Sequence, residues 1–202
     1  MSRDVKVQRS KALEKLITDV GVYALCDLDG IPLYIGQSAD GIRTRVQRHL
    51  TSARSDVIAN RQLDIWEVSE VWAWPLGKKL TNISTKEEKG TQKKAINELE
   101  NFLIHFYNEK NPLVNGNLPA KTSDLPNIPE KQVVKIMSIE EISSRQDPAR
   151  RLPRQMEHLT HLFSHILEVK NNSEQRRMLR VHFNRTQKYY TEFMKESGER
   201  EI

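Results

Sequence analysis

Two runs of strand-forming residues stand near the start of this chain, Val22-Tyr23-Ala24-Leu25-Cys26 and Leu33-Tyr34-Ile35, with the turn dipeptide Asp29-Gly30 between them. Of everything in the sequence this most narrows the fold, because β-rich runs around Asp-Gly close into an antiparallel hairpin. Tyr23 then lies near the start of the first strand and Tyr34 in the second. Beyond Ser38 the character changes. Arg43, Arg45, Arg48 and His49 replace strand formers, and Ile42, Val46 and Leu50 recur every fourth position, as on one helix face. Arg45 and His49 are also four apart and share a neighbouring face. Two phenols, a guanidinium and an imidazole are therefore expected to converge where hairpin meets helix.

Ala95, Ile96, Leu99, Phe102, Leu103 and Phe106 predict another helix running to about Asn108, with Glu100 one turn before Ile104. Thr85 and Glu88 have the spacing of a capping box, while Gly90 is expected to interrupt or delay this helix. Val71-Trp72-Ala73-Trp74-Pro75 alternates as a third strand packed on the hairpin. All three tryptophans, Trp66, Trp72 and Trp74, fall within residues 64–76; in a strand they read as sheet or core aromatics before base-stacking platforms. Pro112, Pro119, Pro126 and Pro129 mark the stretch after Asn111 as loop and linker.

Together these features resemble the GIY-YIG endonuclease superfamily. Its first tripeptide is Gly21-Val22-Tyr23 here, with valine for isoleucine and the tyrosine kept, and its second is matched in full by Tyr34-Ile35-Gly36. Its arginine four residues before a histidine matches Arg45 and His49. Its glutamate followed by two residues and Leu-Ile matches Glu100-Asn101-Phe102-Leu103-Ile104, and its Pro-x-x-Asn matches Pro112-Leu113-Val114-Asn115. Singly, such residues are ordinary strand aromatics or solvated helix faces; five elements in order over residues 21–115 carry the resemblance.

The resemblance implies an α/β domain at about residues 10–118, a small antiparallel three-stranded sheet flanked by helices, that hydrolyses phosphodiester bonds in DNA. Its catalytic residues would be Tyr23, Tyr34, Arg45, His49, Glu100 and Asn115. Glu100 is the one carboxylate among them, and so the expected protein ligand of a single Mg²⁺ or Mn²⁺, which keeps waters and takes phosphate oxygens. Arg45 would clamp the scissile phosphate through its fork of donors. Tyr23 would be the general base, its phenolate favoured by metal, Arg45 and a neutral His49. Tyr34 would orient water or phosphate, and Asn115 would hold the site or the substrate by its amide.

Composition bears on the partner. Lysine and arginine outnumber acids 32 to 27, a net +5, and the sequence pI is about 9.3, which favours a polyanion such as DNA. A lone Cys26 excludes internal disulfides and a cysteine-rich zinc module, and speaks against the structure-specific resolvase branch that carries one. Without a membrane-length apolar run or signal peptide, no membrane partner is expected, and the location is expected to be cytoplasmic and nucleoid-associated. Residues 119–132 read as a linker and 133–202 as a mostly helical C-terminal extension, although Val133-Val134-Lys135-Ile136-Met137 has strand character. Within the extension, Asn171-Asn172-Ser173 breaks two amphipathic helices into an antiparallel hairpin.

Candidate DNA contacts are Arg54, Asn60, Arg61 and Gln62 after the first catalytic helix, Lys78 and Lys79 in a lysine-rich connection, and Arg176, Arg177 and Arg180 in the tail, with Arg185 and Lys188 nearby. The expected function is site-specific cleavage of the restriction or mobile-element kind. The alternatives are a structure- or single-strand-selective repair nuclease and a non-catalytic nucleic-acid-binding module. Cutting both strands needs a homodimer or sequential nicking, and a dimer interface made by the tail helices, their arginines solvated, is the alternative to DNA binding by the tail.

Overall fold

A computed structural model describes residues 3–51, 61–79, 85–121 and 125–196. The hairpin forms from β1 (Val20–Cys26) and β2 (Pro32–Ser38), paired antiparallel with Tyr23 opposite Gly36 and Leu25 opposite Tyr34. Its turn is wider than Asp29-Gly30 alone. Asp27 Oδ1 accepts from the backbone N–H of Asp29 at 2.9 Å and of Ile31 at 2.8 Å, and Gly30 takes the left-handed φ of 72° that closes it.

The sheet has four strands, all antiparallel, in the order β2-β1-β3-β4, with β3 at Glu70–Gly77 and β4 at Gln132–Lys135. The expected three-stranded sheet is therefore one strand short. β4 comes from beyond the proline-rich stretch, where Val133 and Val134 suit a pleated edge. Gln132 fastens it: its side chain accepts from Ile17 N–H at 2.9 Å and donates to Lys15 C=O at 3.0 Å.

Six helices surround the sheet among the described residues: α1 (Arg3–Leu13), α2 (Ile42–Thr51), α3 (Lys86–Lys110), α4 (Ile139–Gln146), α5 (Pro148–Glu168) and α6 (Ser173–Glu196). Alternation along the central strand β1 divides its side chains between two cores. Tyr23 and Leu25 pack with Leu13, Leu16, Ile42 and Val46 on one face; Val22, Ala24 and Cys26 pack with Ile96, Leu99 and Leu103 on the other. Helix α3 runs unbroken through Gly90, against expectation. Thr85 Oγ1 caps it by accepting from Glu88 N–H at 3.2 Å, and the roughly 1 kcal/mol that glycine costs is small beside burial of Ile96, Leu99, Leu103 and Ile104. Trp72 and Trp74 pack edge-on against each other and around Tyr107 of α3, so they serve the sheet rather than stack on bases.

Helices α5 and α6 form the expected hairpin, and it docks on the turn between β1 and β2. Arg151 pairs with Asp29 at 2.8 Å and Glu67 at 3.0 Å, Arg154 with Asp64 at 3.0 Å, and Arg185 with the fully buried Asp27. Tyr189 donates to Asp29 at 2.7 Å. Burial alone would raise the Asp29 carboxyl, but hydrogen bonds from Arg151 and Tyr189 overcome it and hold the group near 2. Removing one member of such a cluster strands a buried charge, so the extension is tied to the hairpin turn. No helix among the described residues is long and apolar enough to cross a membrane.

Candidate active site

Strand β1 is central and buried along its whole length, so Tyr23 projects into the α2 side of the sheet with no solvent exposure. Helix α2 brings His49 to meet it: the Tyr23 hydroxyl lies 2.7 Å from His49 Nε2. Tyr34 of β2 completes an aromatic group, its ring centroid 6.3 Å from Tyr23 and 5.8 Å from His49. Tyr34 and Arg45 are half-buried, so this group opens to solvent on their side.

Burial pushes the Tyr23 phenol well above its ordinary value, Tyr34 adds to the rise, and the neighbouring Arg45 guanidinium only partly opposes it. Burial thus works against the phenolate that a metal, Arg45 and a neutral His49 would favour. The Tyr23 hydroxyl and His49 Nε2 share one hydrogen bond, whose donor is set by the imidazole tautomer.

Gly36, paired with Tyr23 across the hairpin, is the residue on which this packing depends. A Cβ there would stand 2.6 Å from the Tyr23 hydroxyl and 2.8 Å from Tyr34 Cε1. Gly36→Ala should force the phenol off His49 and cost about 1–3 kcal/mol of stability by overpacking. Thermal unfolding and the imidazole ¹⁵N shifts of His49 would reveal it, and an unchanged pair of measurements would refute the packing argument.

Glu100 reaches the group from α3. Its carboxylate accepts from the Gln37 side-chain amide at 2.8 Å, and desolvation raises it to about 7, against the pull of Gln37 and Arg45. Glu100 and Tyr23 lie close enough for the carboxylate to contribute to the rise of the phenol. Gln37 was not singled out by sequence. It is half-buried in β2, as Tyr34 is, and the sequence around it carries no sign of the carboxylate it meets.

Asn115 does not face this group directly. Its amide accepts from Ile35 N–H at 3.0 Å and donates to Ile35 C=O at 2.7 Å, acting as one rung of an extra strand on the outer edge of β2. It holds the strand that carries Tyr34, Gly36 and Gln37.

The expected DNA contacts divide. Arg54 and Asn60 lie outside the described residues. Arg61 is exposed, with a left-handed φ of 52°. Gln62 turns inward and donates to Val114 C=O at 2.9 Å, so it is spent on the fold rather than on bases. Lys78, Arg176 and Arg180 are exposed, and Lys79 is half-buried beside Gly41. Arg177 donates to Leu113 C=O at 3.1 Å, to Asn115 C=O, and to Asn108 Oδ1 at 2.9 Å, and Arg185 is spent on Asp27. These two arginines are fold contacts. Their basic character was legible from sequence, whereas their partners, 62 or more positions away, were not.

No protein-family model matches the chain, no curated protein matches its sequence, and no solved structure matches its fold.

Proposed function

We infer that this chain is a divalent-metal-dependent DNA endonuclease with a GIY-YIG-type site. The observation that carries the reading is the 2.7 Å contact of Tyr23 with His49 against the bare backbone of Gly36, with Arg45 and Glu100 close enough to influence the phenol. Residues from two strands and two helices converge there, a buried phenol–imidazole pair with a charged guanidinium and a raised carboxyl nearby, the kind of grouping that marks functional sites.

Glu100 suits a hard divalent cation. It is a partly desolvated carboxylate pushed toward neutrality, hydrogen-bonded by an uncharged amide and only partly offset by the Arg45 charge. Among the described residues, no group of three or more His, Cys, Asp or Glu is placed to hold a metal. Glu100 would be the protein ligand of such a cation, a role that one carboxylate can fill for Mg²⁺ or Mn²⁺ because these ions also take water and phosphate oxygens. When bound, it neutralises charge on a phosphoryl oxygen.

Arg45 clamps the scissile phosphate and stabilises charge as the phosphorane geometry develops. Tyr34, the phenol on the open side, orients the attacking water. Gly36, lacking a side chain, leaves the room in which the Tyr23 hydroxyl sits beside Tyr34. The Tyr23 oxygen accepts the water proton as it passes its own to His49, so the residue is a relay and never a free phenolate. Gln37 holds the Glu100 carboxylate in place. Exposed Arg176, Arg180 and Arg61 take backbone phosphates, with Arg54 and Asn60 kept as candidates for reading base edges.

Purified protein incubated with supercoiled plasmid should cleave it in Mg²⁺ or Mn²⁺ and be silent in EDTA. Discrete fragments would mark a site-specific enzyme, and nicked circles alone a strand- or structure-selective one. No cleavage of duplex, single-stranded or branched DNA with either ion would overturn the reading and leave a binding module.

A further inference from the structure

The C-terminal extension reaches the candidate site through one side chain. Residues 112–116 form an irregular loop after α3, and its backbone is satisfied almost entirely from outside the loop. Leu113 N–H donates to Asn108 Oδ1 at 3.0 Å, and Val114 N–H to Leu33 C=O at 2.8 Å. Val114 C=O accepts from Gln62, and the carbonyls of Leu113 and Asn115 both accept from the Arg177 guanidinium. Arg177 also donates to Asn108 Oδ1 in α3, so one planar fork ties the loop to the last turn of that helix. Buried carbonyls need such partners, and without Arg177 two of them lose theirs. The loop exists to present Asn115, whose amide pairs with Ile35 between Tyr34 and Gly36.

We propose that Arg177 is a positioning residue for the site: α6 holds the 112–116 loop through Arg177 so that Asn115 fixes the edge of β2 under Tyr34, Gly36 and Gln37. The role in cleavage rests on the nuclease reading above, while the role in ordering β2 does not. Arg177 contrasts with Arg176 and Arg180 on the same helix, which are exposed. Lysine cannot replace it, because a single ammonium cannot span two carbonyls and an amide oxygen in one plane.

The test compares Arg177→Lys and Arg177→Ala with the full-length wild type. Hydrogen exchange at the Ile35 amide, which donates to Asn115, is read first in metal-free, DNA-free protein; both variants should exchange at least tenfold faster there. In single-turnover cleavage the saturated rate should fall about ten- to a hundredfold, the scale of a catalytic group displaced from afar, with half-saturation and salt slope unchanged. Adding Asn115→Ala to Arg177→Lys should slow cleavage no further than Asn115→Ala alone, since the two act in series. Arg180→Ala should do the opposite, raising half-saturation and lowering the salt slope by about 0.9.

Unchanged Ile35 exchange in Arg177→Lys overturns the proposal, as does a full cleavage rate or additive losses with Asn115. A salt-slope change in Arg177→Ala at an unchanged saturated rate would make Arg177 a phosphate contact instead. Should wild type cleave nothing, the nuclease reading falls, and the exchange measurement alone decides whether Arg177 orders β2. Arg177→Lys keeps the charge and most of the stem, so the comparison stands even where Arg177→Ala does not fold.

Discussion

Tyr23→Phe should lower the single-turnover cleavage rate by more than a hundredfold while leaving the fold intact. The substitution deletes one oxygen from a fully buried ring and leaves its packing against Tyr34 in place. What goes is the hydroxyl that meets His49 Nε2 at 2.7 Å. General acid–base help of this kind is worth about 10²–10⁴ in rate. The lost hydrogen bond should cost only about 1–3 kcal/mol of stability. Because burial holds the phenol well above its ordinary value, raising pH toward 10 should not switch on a phenolate pathway in wild type. Tyr23 and His49 form one relay, so adding His49→Ala to Tyr23→Phe should cost little more than either alone. Single-turnover rates across pH test this; a near-normal rate for Tyr23→Phe would pass the base role to His49 acting directly on water.

What the sequence makes legible here is local. The hairpin around Asp29-Gly30, the helix of Arg45 and His49, and the stripe through Ile96, Leu99 and Leu103 each follow from spacing within a few turns, and each forms. What escapes is set by partners far along the chain. β4 is short, and its place beside β3 depends on Gln132 meeting Ile17 and Lys15. The interruption expected at Gly90 fails because packing further along the helix outweighs a propensity cost. Arg177, Arg185 and Gln62 read as solvent-facing basic and amide residues suited to nucleic acid. Their fate was decided by carbonyls and a carboxylate that need donors once the chain is folded. Gln37 shows the same limit at the site itself, since nothing in Gly36-Gln37-Ser38 foretells a carboxylate 63 positions on.

Glu100→Gln should abolish metal-dependent cleavage and at the same time stabilise the metal-free protein at alkaline pH. The carboxyl titrates at about 7 in the fold, against 4.5 as the ordinary value, because desolvation outweighs the help of Gln37 and Arg45. Between those values the folded protein holds a proton that the unfolded chain has released, so stability falls as pH rises from about 4.5 to about 7. Above pH 7 the full cost, about 3 kcal/mol, falls on the metal-free wild type. Glutamine keeps the shape, still accepts from Gln37, and carries no charge to desolvate. Its melting temperature should exceed that of wild type by several degrees at pH 8 and equal it below pH 4.5. On the nuclease reading the same carboxylate would hold the cation, so protons and Mg²⁺ would compete for it, and apparent metal affinity in wild type should fall about tenfold for each pH unit below 7. Glu98, paired with Lys94 at 3.7 Å, supplies the control, and Glu98→Gln should change none of these readouts. Full-rate cleavage by Glu100→Gln in Mg²⁺ would remove Glu100 from the metal site. A carboxylate kept at a loss in stability, within reach of the Arg45 charge, accords with the proposed cation and phosphate site.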